Sequence, residues 1–235
     1  YQIRRAEDIP WAVARAFYIA KSGRPRPVVL DFTKNAQTSK FEYEPQTVDF
    51  IRSYKPLHHP SQEAIKKAAQ MINDSVKPFM LVGQGVELGG AHKELLELCE
   101  KAQIPFGQTL LGLSAAPTDH PLNMGMLGMH GNYAPNFMTN QCDLLIAVGM
   151  RFDDRITGNL KTYAKQAKII HFDIDPSEIN KNVKVDLALV GDCKETLASV
   201  SEYVKPAKHQ TWIEGFKPYA EKEFNLVIDA AINPK

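Results

Sequence analysis

LLIAVGMRFDDRITGN, residues 144–159, runs from an apolar stretch into Gly149 and then sets Arg151, Asp153, Asp154 and Arg155 within five positions. The apolar run is continuous rather than alternating, which marks a strand buried on both faces, as strands of parallel sheets are. Charge at the end of such a strand points to a ligand, because open parallel sheets bind outside the carboxyl ends of their strands. Short apolar runs recur on either side: PFMLVGQGV (78–86), PFGQTL (105–110), KIIHFDI (168–174) and LALVGD (187–192). Helical patterns alternate with them. Ala64, Ile65, Ala68, Ala69 and Ile72 share one face before the first run, Ala91, Leu95, Leu98 and Cys99 share one after it, and KETLASVSEYV (194–204) follows the last. This alternation predicts an α/β fold, a doubly wound, Rossmann-like parallel sheet flanked by helices, over residues 61–204.

The flanks read differently. Residues 8–21 carry Ile9, Ala12, Val13, Ala16 and Phe17 at helical spacing and lead through SGRPRP to the strand PVVLDF. One helix and one strand cannot cover each other's apolar faces, so residues 1–40 are expected to be the end of a domain that begins before Tyr1. Residues 41–60, polar and dotted with proline, are expected to be a linker. Residues 205–235, polar and aromatic, are expected to link to a further domain.

With 44% hydrophobic residues, the 235-residue chain can build a sizeable core. Lys and Arg number 28 against 27 Asp and Glu, so no charge footprint for nucleic acid or a membrane surface is present. The expected partner is a small molecule or another protein. Cys99, Cys142 and Cys193 show no CxxC or Cys/His spacing, which argues against a zinc site and a disulfide framework and for a reducing, cytoplasmic setting. No apolar run reaches the roughly 18 residues of a membrane helix and no leader pattern is read.

The strand ends supply the candidate residues. Gly83, Gln84 and Gly85 form a turn in which glycine lets backbone approach a phosphate. The spacing to Gly89 is GxGxxxG, not GxGxxG, and a plain strand-to-helix turn fits it equally well. Thr109 and Leu110 follow the second strand. The connection MGMLGMHGNYAPN (124–136) holds Leu127, Gly128, Met129, His130 and Gly131. Its glycines permit close approach to a flat ligand and methionine offers polarizable contact, although a flexible loop with a solvated histidine is the plainer reading. No second ligand stands at metal-binding spacing. Arg151 and Arg155, four apart, would share one region in a helical turn and suit bidentate phosphate recognition, with Asp153 and Asp154 holding them; a solvated, self-paired turn is the alternative. Asp173 is the candidate for accepting from a ribose hydroxyl, and Asp175 before Pro176 is the candidate helix cap. Asp192 ends the last strand.

In order along the chain, GRPRPVVLDFTKNAQ (23–37), TLLGLS (109–114), MGMLGMHG (124–131), AVGMRFDDRITGN (147–159), IIHFDIDPSEINKN (169–182) and LVGD (189–192) resemble the large catalytic subunit of acetolactate synthase (acetohydroxyacid synthase), a thiamine-diphosphate enzyme. The RFDDR motif and its interval from the HG pair point to the FAD-containing biosynthetic type. The resemblance implies the end of a pyrimidine-binding domain followed by a central FAD-binding domain. It implies FAD contacts at Arg24, Gly83 to Gly85, Thr109, Leu110, Leu127 to Gly131, Gly149, Met150, Arg151, Asp153, Arg155, Ile156, Asp173, Ile174, Gly191 and Asp192. In such enzymes the flavin does not turn over. The intact enzyme would join two pyruvates, or pyruvate and 2-oxobutyrate, with decarboxylation, in branched-chain amino-acid biosynthesis. It would use thiamine diphosphate and Mg2+, pair with a second catalytic subunit, and take a small regulatory subunit.

The family's GRPGP has Arg26 in this chain, and its PKD reads TKN at 33–35, both near the substrate channel of relatives. The catalytic glutamate would lie before Tyr1, and the GDG-to-Asn motif that holds magnesium and diphosphate is not matched by Gly191-Asp192-Cys193. Inactivity of the chain alone is therefore expected, with no catalytic or metal-binding residue in it. Three rivals are a sirtuin-like NAD-dependent deacylase, which would need two CxxC pairs, another thiamine enzyme with redox flavin, and a non-catalytic ADP-binding module.

Overall fold

The computed structural model describes residues 1–232, in two compact units divided between His58 and His59. In the first, β1 (Gln2–Ile3) pairs in parallel with β2 (Asp31–Phe32), and α1 (Ile9–Lys21) and α2 (Lys34–Thr38) complete it. Its core is small: Ile3, Ala12 and Ala36 are buried together, while Phe17 stays 69% exposed. The predicted strand at 27–32 thus contributes only two paired residues.

The second unit opens with α3 (Gln62–Asp74), whose N-cap Ser61 accepts from the Ala64 amide. Its Ile65, Ala68, Ala69 and Ile72 are buried on one face, as the spacing predicts. Then follow β3 (Pro78–Val82), α4 (Gln84–Leu88), α5 (His92–Ala102), β4 (Phe106–Gln108), β5 (Asn123–Met126), α6 (Tyr133–Met138), β6 (Leu144–Val148) and α7 (Asp154–Thr157). The unit continues with β7 (Lys168–Asp173), β8 (Leu187–Val190), α8 (Cys193–Tyr203), α9 (Gln210–Glu214) and α10 (Lys217–Glu223).

The six strands from β3 to β8 form one sheet in the order β5-β4-β3-β6-β7-β8, every neighbouring pair parallel. The strand order runs outward in both directions from the β3–β6 pair, so the topological switch point lies between them. Both faces of the sheet are covered, which is why β3 and β6 are buried at every residue. Met80, Val82, Ile146, Val148, Ile170 and Phe172 pack with α3, α5 and α8. Phe79, Leu81, Leu145, Ala147 and Ile169 face the other way, toward Ala134 and Met138 of α6.

Two features depart from the sequence expectation. β5 is a sixth strand within what reads as a loop; its residues are only half-buried and its register with β4 shifts, so it carries no apolar run. The stretch after 205, read as a linker, places Trp212 and Phe216 in the second core cluster, and the Trp212 Nε1–H donates to the Pro78 carbonyl at 2.8 Å. Two isolated aromatics in a polar context produce no periodic signal, yet they close that face of the sheet. Cys99, Cys142 and Cys193 are buried free thiols. Among the described residues no helix is long and apolar enough to cross a membrane.

Candidate functional site

The turns after β3 and β6 meet at the switch point. Gly83 N–H donates to the Val148 carbonyl at 2.9 Å and Gly85 N–H to the Gly149 carbonyl at 3.0 Å. A Cβ on Gly83 would stand 2.3 Å from the Gly149 oxygen, and one on Gly149, whose φ is +59°, 2.5 Å from the Gly85 Cα. These glycines are therefore required by the approach of the two loops to each other. The amide of Gly85, expected to face a phosphate, is already bonded; Gln84 beside it is exposed.

On the β4 side, the Thr109 hydroxyl accepts from Gly112 N–H and caps a short turn that leaves Leu110 66% exposed. The loop after β5 is held rigidly. Asn136 of α6 clamps Gly128 twice, accepting from its N–H at 2.9 Å and donating to its carbonyl at 2.8 Å. Met129 N–H donates to the Arg155 carbonyl, so Leu127 to Gly131 is tied to α7. Asn132 accepts from Met126 N–H, and Glu223 of α10 accepts from Asn132 and from Tyr133 N–H. Met129 and His130 are exposed at the tip. Between this loop and α7 lies a cavity of about 280 Å³, lined by Leu127, Gly128, Met129, Asn136, Arg155 and Ile156 among others.

After β6, Arg151 and Asp153 form an ion pair at 2.6 Å, and Asp153 is also the N-cap of α7, accepting from Arg155 N–H. That amide, with lesser help from the charges of Arg151 and Arg155, holds the Asp153 carboxyl below the usual carboxylate range. Because α7 begins only at Asp154, Arg151 and Arg155 do not share a helical face; Arg155 instead reaches the Met129 sulfur at 3.5 Å. Met150 is buried and Ile156 half-buried.

At the end of β7, Asp173 is 8% exposed and accepts from Asp175 N–H at 2.8 Å through Oδ1. Asp175 caps the following turn by accepting from Ser177 N–H, as its place before Pro176 predicts. Ile174 is half-buried, and Gly191 N–H donates to the Asp173 carbonyl. Asp192 caps α8, its Oδ1 accepting from the Lys194 and Glu195 amides. Next to it, burial pushes the Cys193 thiol up to about 12, and its Sγ donates to the Gly85 carbonyl, so it serves packing rather than nucleophilic chemistry. Every candidate position of the second unit thus stands just beyond, or at, the carboxyl end of a strand of one sheet. Arg24 lies in the first unit.

Sequence reasoning missed the residues that brace these turns: Asn132, Asn136, Glu223 and, within the sheet, His171. The four-residue spacing of the two asparagines was the one available signal.

The chain matches the model of the family described as thiamine pyrophosphate enzyme, central domain, over residues 65–200. It is 45% identical over 225 residues to the probable acetolactate synthase large subunit of Methanocaldococcus jannaschii, covering 91% of this chain and 37% of that protein. It is 40% identical over 223 residues to the acetolactate synthase large subunit of Corynebacterium glutamicum, covering 92% of this chain and 36% of that protein. With the acetolactate synthase large subunit of Porphyra purpurea it shares 41% over 225 residues, 94% of this chain and 37% of the other. The chain thus spans little more than a third of the length of these relatives. Sheet order and family match agree, and the chain belongs to the thiamine pyrophosphate enzymes, through their central domain.

Proposed function

We propose that this chain is the FAD-binding central part of an acetolactate synthase large subunit. The observation that carries the reading is the gathering of the candidate residues at the carboxyl ends of parallel strands around the β3–β6 switch point, the place where such sheets take dinucleotides. The residues suit that group. Asp173 offers carboxylate oxygens for ribose hydroxyls at the end of β7, and the exposed Arg151 guanidinium suits a diphosphate. The cavity between Gly128 and Ile156 is of mixed lining, with Leu127, Met129 and Ile156 to meet part of a flat ring system and Asn136, Asn140 and Arg155 to meet its polar edge. FAD would supply a bound structural element there, held and oriented by these residues.

The whole protein would join two pyruvates, or pyruvate and 2-oxobutyrate, with decarboxylation, using thiamine diphosphate and Mg2+ held elsewhere, in branched-chain amino-acid biosynthesis in the cytoplasm. Its partners would be a second catalytic subunit and a small regulatory subunit. The chain alone is expected to form no acetolactate from pyruvate, since its one Gly-Asp pair, Gly191-Asp192, caps α8. FAD fluorescence quenching on titration with the chain tests the reading. Saturable quenching, weakened about tenfold by Asp173→Ala as loss of a charge-assisted hydrogen bond requires, supports it; no quenching at any concentration overturns it.

A further inference from the structure

His171 is wholly buried in the middle of β7, two residues before Asp173, so the two side chains leave the same face of the sheet. Its Nε2 stands 2.7 Å from the Met150 carbonyl oxygen and 3.6 Å from Oδ2 of Asp173. A carbonyl only accepts, so Nε2 carries the hydrogen and donates to Met150. Nδ1, equally buried, meets no partner. The ring edge packs against Phe152, centroids 5.1 Å apart. A purely packing role would be met by an apolar side chain without an orphaned nitrogen, and a buried polar atom left unsatisfied asks for a functional reason. What the imidazole bonds is specific: the carbonyl of Met150, between Gly149 at the switch point and the Arg151–Asp153 pair; its Nε2 also lies beside Oδ2 of Asp173, a contact too long for a hydrogen bond.

We propose that His171 is a positioning residue for the nucleotide site, fixing the 149–151 turn in one orientation through the Met150 carbonyl so that the diphosphate is gripped there. This rests on the nucleotide reading above. His171 touches no ligand itself; it acts through Met150.

The test is calorimetric titration of the full chain with ADP and with adenosine. The wild type is expected to prefer ADP about tenfold, the scale of a charge-assisted contact to the diphosphate. His171→Phe, which keeps the ring packing, is expected to abolish that preference while leaving adenosine affinity unchanged. His171→Gln, whose amide can reach the Nε2 position, is expected to restore most of it. Adding His171→Phe to Arg151→Ala should then change nothing further. Equal weakening of both ligands by His171→Phe, or an intact preference, would overturn the role. A wild type that binds neither ADP nor FAD would instead overturn the nucleotide reading. Should His171→Phe fail to fold, nitrogen NMR of the wild type decides: a proton on Nε2 whose shift moves with ADP but not with adenosine supports the role, and a ring protonated on Nδ1 alone, or indifferent to ADP, refutes it.

Discussion

Gly149→Ala tests whether the switch point is built on backbone-to-backbone approach. The new Cβ would sit 2.5 Å from the Gly85 Cα and 2.9 Å from both the N and C of Gly85, all backbone atoms that no rotamer change can move. The φ of +59° adds the penalty of a left-handed conformation, about 1–2 kcal/mol for an L-residue. Forcing apart packed groups costs a further ~1–3 kcal/mol. The sum, about 2–5 kcal/mol, is a large part of a typical domain stability of ~5–15 kcal/mol. Gly90→Ala is the matched control: its φ is also +59°, but nothing lies within 4 Å of the added carbon, so only the conformational penalty of ~1–2 kcal/mol applies. Thermal unfolding followed by circular dichroism measures both. At about 2–4 °C per kcal/mol, Gly149→Ala should lower the melting temperature on the order of 10 °C and Gly90→Ala by only a few. Equal losses in the two variants would refute the claim that the two loops are locked by contact.

Trp212→Ala should cost about 3–5 kcal/mol in denaturant unfolding, since it removes a buried indole and its bond to Pro78 from the face that residues beyond 205 close. Asp192→Ala should cost ~1 kcal/mol in the same assay by uncapping α8. Asp143 sits beneath the start of β3; burial alone would raise its pKa, but donors from Ser75 Oγ and the Val76 and Lys77 amides outweigh that and hold the carboxyl below the usual carboxylate range. A lowered folded pKa gives stability that is complete above the ordinary value and lost as pH falls through the folded one. Asp143→Ala should therefore cost roughly 2 kcal/mol at pH 7, and the gap from wild type should close on titration below about pH 4.

Where apolar residues run unbroken, the fold was legible: 78–82, 144–148 and 168–173 are strands, and the alternation with helices implies a parallel sheet. β5 was not, because Asn123, Met124, Gly125 and Met126 form a half-buried edge held by Asn132 rather than by an apolar face. The place of the candidate residues at the strand ends was legible, since topology alone says where a parallel sheet binds. The reason for the glycines was not: Gly83 and Gly85 each touch Gly149, far along the chain, a contact no local pattern encodes. His171 in an apolar strand reads as core from sequence, and only its distances to Met150 and Asp173 distinguish it.

Calorimetric titration of the chain with FAD, beside ADP and NAD, tests the central claim most directly. The account predicts saturable FAD binding, weakened by Arg151→Ala and by Asp173→Ala, with ADP binding through the adenosine half and NAD binding no more tightly than ADP. Selective binding of NAD, or FAD binding indifferent to both substitutions, would contradict it.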